Sequence, residues 1–155
     1  MSIKVERLTR WTVAVVVVAT ACQSPPSASH DLSEADLAAV RTLWENLDDD
    51  GADWEAISNR LTSDFVHLDP RAEPLIGIDA WREWVEGMDL GGEDCCYELE
   101  EISGSGDLAY IVWTFDGSWT EGGELIETRS KGITLFRRMP DGSWRLSRNA
   151  WNANP

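Results

Sequence analysis

The sequence predicts an α+β domain in which three N-terminal helices pack on a curved antiparallel sheet. In the first part of the chain, apolar residues recur at helical spacing, interrupted by one short extended segment. From Tyr97 onward, apolar and polar residues alternate in segments separated by the turn sequences GSGD, TEGGE and MPDGS. We therefore expect an antiparallel meander over residues 97–103, 108–119, 125–138 and 144–152. Two of these strands are unusually long, which is typical of a strongly curved sheet.

The helices are predicted from their caps and their apolar stripes. The first should follow Ser33, a preferred N-cap, with Asp36 three residues later as in a capping box. The second should follow Asp53, and the third should begin near Asp79 after a proline-rich crossing. Each stripe has helical spacing: Leu37, Val40, Leu43, Trp44 and Leu47; Trp54, Ile57 and Leu61; Ile78, Trp81, Trp84 or Val85, and Met88.

A short strand between the second and third helices carries the candidate chemistry. Phe65, His67 and Asp69 stand two residues apart, so in an extended chain their side chains leave the same face. Pro70 has no backbone N–H and should end the strand just after the aspartate. The pattern places an imidazole and a carboxylate at a strand end that a ligand could reach.

The first 21 residues are predicted to be an export signal. A basic start leads into an apolar run over residues 12–21, about half the length of a membrane-spanning helix, which needs roughly 20 residues. The run ends in ATAC, which resembles the lipobox of bacterial lipoproteins with Cys22 as the lipidated residue. The alternative is an ordinary cleaved signal with an unmodified Cys22. By the same resemblance, Gln23 after the cysteine implies outer-membrane delivery if the cell is Gram-negative.

Three segments follow from this interpretation. Residues 1–21 are the lipoprotein signal peptide, residues 22–30 are a flexible Pro/Ser-rich tether, and residues 31–155 are the folded domain. The 134 residues left after cleavage suffice for one domain with a core and are too few for two. Attachment to the membrane would then depend on Cys22.

The charge of the chain makes nucleic acid an improbable partner. The formal net charge is −15, and no basic stripe compensates for it.

Cys95 and Cys96 are adjacent and could close only a strained ring, so two free thiols are favoured over a redox switch.

No metal or cofactor is predicted. His67 is the single histidine of the folded domain, because His30 lies in the tether, and this excludes a multi-histidine metal site. The acidic run at residues 48–51 fails the EF-hand pattern, since Ile57 falls where the bidentate glutamate is required. The sequence contains no GxSxG elbow, CxxC pair or glycine-rich phosphate loop.

The order of elements resembles the nuclear transport factor 2-like superfamily, specifically its SnoaL-like branch. The resemblance covers residues 33–152. It rests on DWEAISNRLTSDFVHLDP, on the entry to the third helix at Gly77 and Trp81, and on GITLFRRMPDGSWRLSRNAW. It implies a cystatin-like cone, an α+β barrel whose curved sheet wraps around the helices and leaves a deep, mostly apolar pocket.

The resemblance also implies roles for individual residues. In the steroid isomerases of this fold, the aspartate of a matching Asp-Pro is the base that moves a proton next to a carbonyl, and Asp69 falls on that position. An apolar pocket would make such a carboxylate a stronger base. The isomerases' oxyanion-holding tyrosine falls on Trp44 and their sheet acid near Thr134, so that part of the machinery does not carry over. Hydratases and dehydratases on this fold use His–Asp pairs, which assigns His67 a proton-relay or orienting role.

The expected function is the binding of a small, mostly apolar organic ligand, with isomerase, cyclase or dehydratase chemistry as its enzymatic version. The expected pocket residues are Trp44, Phe65, Trp113, Thr134 and Asn149, with Arg129 and Arg148 as further polar candidates. Three alternatives stay open: His67 as a hydrogen-bonded core histidine, Asp69 as a cap on the turn at Pro70, and the whole domain as a non-catalytic association module. Such a module would form a homodimer through the exposed face of the sheet.

Overall fold

Three helices and a curved six-stranded sheet make up the described part of the chain in the computed structural model. The structure describes residues 31–47, 53–87 and 91–154, and for residues 91–96, 119 and 121 the backbone alone. The elements in chain order are α1 (Glu34–Glu45), α2 (Trp54–Arg60), β1 (Leu61–Leu68), β2 (Leu75–Ile76), α3 (Gly77–Gly87), β3 (Gly91–Ser105), β4 (Leu108–Glu121), β5 (Glu124–Arg138) and β6 (Trp144–Ala153). The predicted α+β class is confirmed.

The sheet order is β2-β1-β6-β5-β4-β3. Strands β3 to β6 form the expected meander of antiparallel neighbours. β1 joins its free edge beside β6 and runs parallel to it, and the two-residue β2 pairs with β1 in the antiparallel sense. This parallel pairing brings the early His67 segment next to the last strand of the chain.

The predicted helix caps are observed at α1 and α2. Ser33 and Asp36 form a reciprocal capping box, in which the Ser33 hydroxyl accepts from the Asp36 N–H and the Asp36 carboxylate accepts from the Ser33 N–H. The Asp53 carboxylate accepts from the N–H groups of Glu55 and Ala56. Both helices therefore begin at the residue that the sequence indicates.

Three boundaries differ from the prediction. Leu61, assigned to the apolar side of the second helix, is instead the first residue of β1, because the chain turns extended directly after Arg60. The third helix begins at Gly77, where a positive φ of 81° lets the chain turn out of β2, rather than near Asp79. β3 extends to Gly91 at its start, since it remains paired with β4 over that length.

The core lies between the helices and one face of the sheet, called the inner face here. Its fully buried members come from α1, β1, β4 and β5, for example Val40, Phe65, Ile111 and Phe136, each at most 1% exposed. Burying side chains of this size is the main favourable contribution to folding.

Several sequence-based predictions lie outside the described residues: the signal peptide, the lipidated Cys22, the tether, the acidic run at 48–51 and Met88. Among the residues described, no helix has the length and apolar character needed to cross a bilayer.

Candidate functional site

His67 lies inside the domain, near the end of β1. It is 6% exposed, and the neighbouring inward positions Phe65 and Asp69 are 1% and 5% exposed. Leu68, which points the other way, is 40% exposed. The alternation expected for this segment is therefore present, because β1 is extended and one of its faces packs against the helices.

Two tryptophans of α3 surround the imidazole ring. The ring centroid of Trp84 lies 5.4 Å from that of His67, and the ring centroid of Trp81 lies 6.1 Å away. Trp81 also meets Phe65 edge-on at 5.4 Å between centroids. α3 thus covers His67 with aromatic carbon rather than with water.

A row of hydrogen-bonding side chains crosses the inner face of the sheet at His67. In the strand register, His67 of β1 stands opposite Asn149 of β6, which stands opposite Thr134 of β5. Asn149 Nδ2 is 3.2 Å from His67 Nδ1, and Thr134 Oγ1 is 2.9 Å from Asn149 Oδ1. Trp113 of β4 completes the row, because its indole N–H donates to Thr134 Oγ1 at 3.0 Å.

The other imidazole nitrogen, His67 Nε2, is buried and has no hydrogen-bond partner within the described ranges. A buried polar group without a partner costs about 1–3 kcal/mol. Burial lowers the pKa of His67 below its ordinary value of 6.5, and the nearby negative charge of Asp69 opposes that shift. The imidazole is therefore neutral at physiological pH.

Asp69 stands just beyond the end of β1, and its carboxylate is held by Arg71. Asp69 Oδ1 accepts from the Arg71 N–H at 2.7 Å and from Arg71 Nε at 3.3 Å. The side chain of Asp69 is fully buried, whereas that of Arg71 is 43% exposed. Asp69 therefore caps the turn that follows Pro70, one of the two interpretations left open by the sequence. The other, a catalytic carboxylate, requires the same buried position.

The predicted aromatic pocket residues come together beside this row. The ring of Trp44 on α1 lies 5.8 Å from that of Trp113, and Tyr97 of β3 meets both at 5.8 Å and 5.4 Å. Thr134 is fully buried and Trp113 is 4% exposed. Trp44, Trp113, Thr134 and Asn149 thus form one continuous inner surface with His67.

Two of the polar candidates point away from this surface. Arg129 is on the outer face of β5, where it pairs with Asp116 at 2.8 Å and is 74% exposed. Arg148 donates to the backbone carbonyl of Asp64 at 2.7 Å and pairs with its carboxylate at 3.3 Å. Their assignment to the pocket is wrong, because each lies one residue out of phase with the inward positions of its strand.

Arg71 and Tyr97 are the site neighbours that the sequence interpretation missed. The position two residues after an aspartate is where a side-chain carboxylate reaches a backbone N–H in a turn, so the spacing of Asp69 and Arg71 was an available signal. Tyr97 lies on a predicted strand, but no local sequence pattern indicates whether its side chain faces the inner or the outer side of the sheet.

His67 and Asp69 do not line either of two surface cavities that lie in the described part of the chain. One, of about 480 Å³, lies against α1 at Ala38, Thr42 and Arg60. The other, of about 280 Å³, lies over β4 and β5 at Thr114, Asp116 and Arg129. The indole rings of Trp81 and Trp84 lie next to His67. Across the residues described, no group of three or more His, Cys, Asp or Glu side chains is placed to hold a metal ion.

Comparison with solved structures identifies the fold. A ketosteroid isomerase-like protein from Erwinia carotovora atroseptica superposes with a TM-score of 0.69 at 23% identity, covering 79% of this chain and 100% of that one. A conserved protein from Planctomyces limnophilus gives 0.63 at 25% identity, with coverage of 79% and 100%. A nuclear transport factor 2-like protein with a cystatin-like fold from Novosphingobium aromaticivorans gives 0.54 at 20% identity, with coverage of 76% and 80%.

Comparison by sequence identifies the family. A search of curated proteins finds no match. The family profile of the SnoaL-like domain matches residues 40–146, which run from the buried face of α1 to the start of β6. The match includes His67, Trp113 and Thr134, and Asn149 lies three residues beyond it. The chain therefore belongs to the SnoaL-like domain family and has the nuclear transport factor 2-like fold.

Proposed function

We propose that this protein is an exported, lipid-anchored domain that binds a small, mostly apolar organic molecule against His67. The observation that supports this is the buried Nε2 of His67, which lacks a hydrogen-bond partner within the described ranges while its other nitrogen is bonded to Asn149. A ligand with an acceptor oxygen would satisfy that nitrogen. The aromatic rings of Trp81 and Trp84 would supply apolar contact on the faces of the same ligand.

The position of Trp84 sets the route by which a ligand would reach His67. Its indole packs on the imidazole at 5.4 Å, and α3 has no fully buried residue among those described. Displacing a half-buried tryptophan on such a helix exposes little core. We therefore place the ligand between His67 and α3, on the side where the ring of Trp84 lies.

The enzymatic version of this proposal is proton transfer at a carbon next to a carbonyl. Asp69 would take the proton from that carbon, and the electron pair left behind would delocalise onto the carbonyl oxygen. The N–H of His67 would stabilise the negative charge developing on that oxygen. Arg71, whose guanidinium lies 3.3 Å from Asp69 Oδ1, would hold the carboxylate in position. Isomerisation, cyclisation and dehydration of carbonyl compounds can each begin with this step.

Binding is tested with 1-tetralone, an apolar bicyclic ketone, by the change in tryptophan fluorescence. His67→Phe keeps an aromatic ring and removes the N–H donor, so affinity should fall about tenfold, the value of one hydrogen bond. Leu68→Ala, the adjacent residue on the opposite face, is the matched control and should leave affinity unchanged. If tetralone binds His67→Phe as tightly as the original protein, the ligand does not contact His67.

Catalysis is tested separately, by the rate at which deuterium from D₂O replaces hydrogen next to the tetralone carbonyl. The protein should accelerate this exchange, and Asp69→Asn should abolish the acceleration while tetralone still binds. A protein that binds tetralone without accelerating exchange is a binding protein, and the enzymatic version is then wrong.

The anchoring proposal concerns Cys22 and has its own test. Globomycin blocks the removal of lipoprotein signal peptides, so treated cells should accumulate the unprocessed precursor. Cys22→Ala has no lipidation site, and its processing should not respond to globomycin. Normal processing of the original chain in treated cells would show that the signal is an ordinary one.

A second candidate function, association of two copies without catalysis, is favoured by the outer face of the sheet. Two adjacent rows of that face are mostly apolar, and we call them the outer band: Val112, Ile133, Ala150 and Leu68 in one row, and Tyr110, Leu135, Arg148, Val66 and Ile76 in the other. Arg148 is the charged member of the second row, where it pairs with Asp64. Ile133 and Leu68 are each 40% exposed, and Ile76 is 71% exposed. The acidic residue beside the band, Asp64, is neutralised by Arg137 at 3.0 Å and by Arg148 at 3.3 Å. Two copies could therefore meet there in spite of the acidic chain.

A further inference from the structure

The direction of the hydrogen bonds in the row is set at its Trp113 end. An indole nitrogen can only donate, so Thr134 Oγ1 must accept from Trp113. The single hydroxyl hydrogen of Thr134 then has to find an acceptor, and Asn149 Oδ1 lies 2.9 Å away. Thr134 is 0% exposed, so its hydroxyl has no contact with bulk water.

The orientation of the Asn149 amide extends the same order of donors and acceptors to His67. Because its Oδ1 accepts from Thr134, its amide nitrogen faces His67 Nδ1 at 3.2 Å and donates to it. The opposite amide orientation would direct N–H groups at Thr134 and leave the Thr134 hydroxyl hydrogen without an acceptor in the row. That loss carries the cost of a buried unsatisfied polar group.

A neutral imidazole has one N–H and one bare nitrogen. Since Nδ1 accepts from Asn149, the proton must be on Nε2. We propose that Trp113, Thr134 and Asn149 are positioning residues that fix His67 in its Nε2–H tautomer, so that this site selects ligands presenting an uncharged acceptor oxygen such as that of a ketone, ester or amide. The tautomer follows from contacts within the protein, whereas the ligand preference rests on the proposed function.

The surroundings of His67 reinforce this selection. Trp81 and Trp84 flank the ring, and the burial that lowers the pKa of His67 keeps it uncharged. A cationic ligand would meet an N–H that repels it, and a ligand with only donor groups would leave Nε2–H unsatisfied. An apolar molecule with one acceptor oxygen satisfies both the donor and its aromatic surroundings.

The tautomer is measured directly by NMR on the ligand-free protein labelled with ¹⁵N-histidine. The chain has two histidines, so His30→Gln assigns the signals. Long-range ¹⁵N–¹H correlations should show His67 with a protonated Nε2 and a bare Nδ1. A protonated Nδ1, or an averaged mixture of both tautomers, would overturn the inference without the need for any variant in the row.

Substitutions in the row should change the tautomer of His67. They would not do so if the row residues had a purely structural role. Asn149→Asp replaces the donor amide by a carboxylate, which can only accept, so His67 should switch to the Nδ1–H tautomer. Thr134→Val removes the hydroxyl that orients Asn149 and should give a mixture of tautomers, and Thr134→Ser should restore the single Nε2–H form. Thr62→Val is the control. Thr62 is a buried threonine on β1 that lies outside the row, so its replacement should leave the tautomer unchanged. An unchanged tautomer in Asn149→Asp would contradict the mechanism.

Ligand preference is tested on the same variant with two probes of similar shape. Asn149→Asp should weaken binding of 1-tetralone, an acceptor, about tenfold, and should strengthen binding of 1-naphthol, a donor. Equal losses for both probes would contradict the selection. If the original protein shows the Nε2–H tautomer but binds neither probe, the proposed function fails while the tautomer assignment stands.

Discussion

Gly132 shows how a single residue determines the position of the site. It stands opposite Trp113 on β4 and opposite Trp151 on β6, in the middle of a long strand where glycine is normally unfavourable. A Cβ at this position would overlap the indole ring of Trp113 and lie 2.7 Å from the carbonyl oxygen of Ala150. The missing side chain therefore provides the space in which the Trp113 ring lies.

Gly132→Ala should therefore both destabilise the protein and disturb the row. We expect a loss of about 1–3 kcal/mol in the free energy of unfolding, as for other overpacked interiors, measured by urea denaturation. Displacement of Trp113 should also break its hydrogen bond to Thr134, and His67 should then adopt a mixture of its two tautomers. Gly87→Ala, where a Cβ would meet nothing within 4 Å, is the control and should show neither effect. A stable Gly132→Ala protein with an unchanged tautomer would show that the ring has room to shift.

His67 also makes the stability of the fold depend on pH. Its pKa is lowered in the folded protein, so the unfolded chain binds the proton more readily once the pH falls below 6.5. Stability should therefore be at its full value above pH 6.5 and should decline as the pH falls below it. His67→Phe should lack this decline, as measured by the urea midpoint over the same pH range.

Acidic groups should cause a second loss of stability at lower pH, which can be told apart from the loss caused by His67. The pKa values of Asp36 and Asp64 are lowered below 3.8 by hydrogen bonds to Arg138 and Arg137, respectively. Their contribution is present above pH 3.8 and is lost only as the pH falls through their lowered values. This second decline should appear in the original protein and in His67→Phe alike. If the urea midpoints of both proteins change in the same way between pH 6.5 and 3.8, His67 does not cause the loss of stability in that range.

At the scale of elements, α1 is fixed to the sheet through its first turn. Asp36, the third residue of the helix, closes the capping box with Ser33 and also binds Arg138 at 2.6 Å at the end of β5. The indole N–H of Trp144 donates to the same carboxylate at 3.3 Å, and the guanidinium of Arg138 lies 4.5 Å from the centre of the Trp144 ring. One carboxylate thus joins the start of α1 to the turn between the last two strands.

Ser33→Ala should remove the cap of this helix. The Asp36 N–H loses its acceptor, and unfolding should become easier by about 1 kcal/mol. Ser58→Ala, at an exposed position within α2, should be neutral or slightly stabilising, because alanine favours helix more than serine. Thermal unfolding of the two variants checks this prediction. Equal midpoints would show that Asp36 alone holds the helix start through Arg138.

For the whole molecule, we propose that the outer band of the sheet is the surface through which two copies associate. Its two rows cross β1, β6, β5 and β4, the four central strands, and Arg148 is the charged residue within them. A mostly apolar exposed surface of this extent is typical of an interface. We expect a dimer related by two-fold symmetry, with Ile133 near its centre.

Ile133→Lys should convert that dimer to a monomer, as measured by sedimentation equilibrium, because a charge would have to be buried in the interface. Leu125→Lys is the control. Leu125 is 59% exposed on the same strand but lies eight residues from Ile133 and outside the outer band, so the dimer should persist. A protein that is monomeric before any substitution would contradict the association function and leave ligand binding as the remaining proposal.

The local structure of this protein follows from short-range patterns in its sequence. The N-caps at Ser33 and Asp53, the alternation of Phe65, His67 and Asp69, and the four strands of the meander follow from interactions between residues close together in the chain. Such patterns also gave the mixed α+β class. They could not exclude Arg129 and Arg148 from the pocket, because a register error of one residue reverses the face of a strand.

The contacts of His67, in contrast, depend on how distant strands pair. The parallel pairing of β1 with β6 places His67 beside Asn149, 82 residues later, and the β5–β6 register places Thr134 beside Asn149 in turn. No local pattern specifies a register between strands so far apart, since it depends on how the whole sheet closes against the helices. The proton position on His67 is therefore a property of the assembled sheet, whereas its inward direction was already determined by alternation along β1.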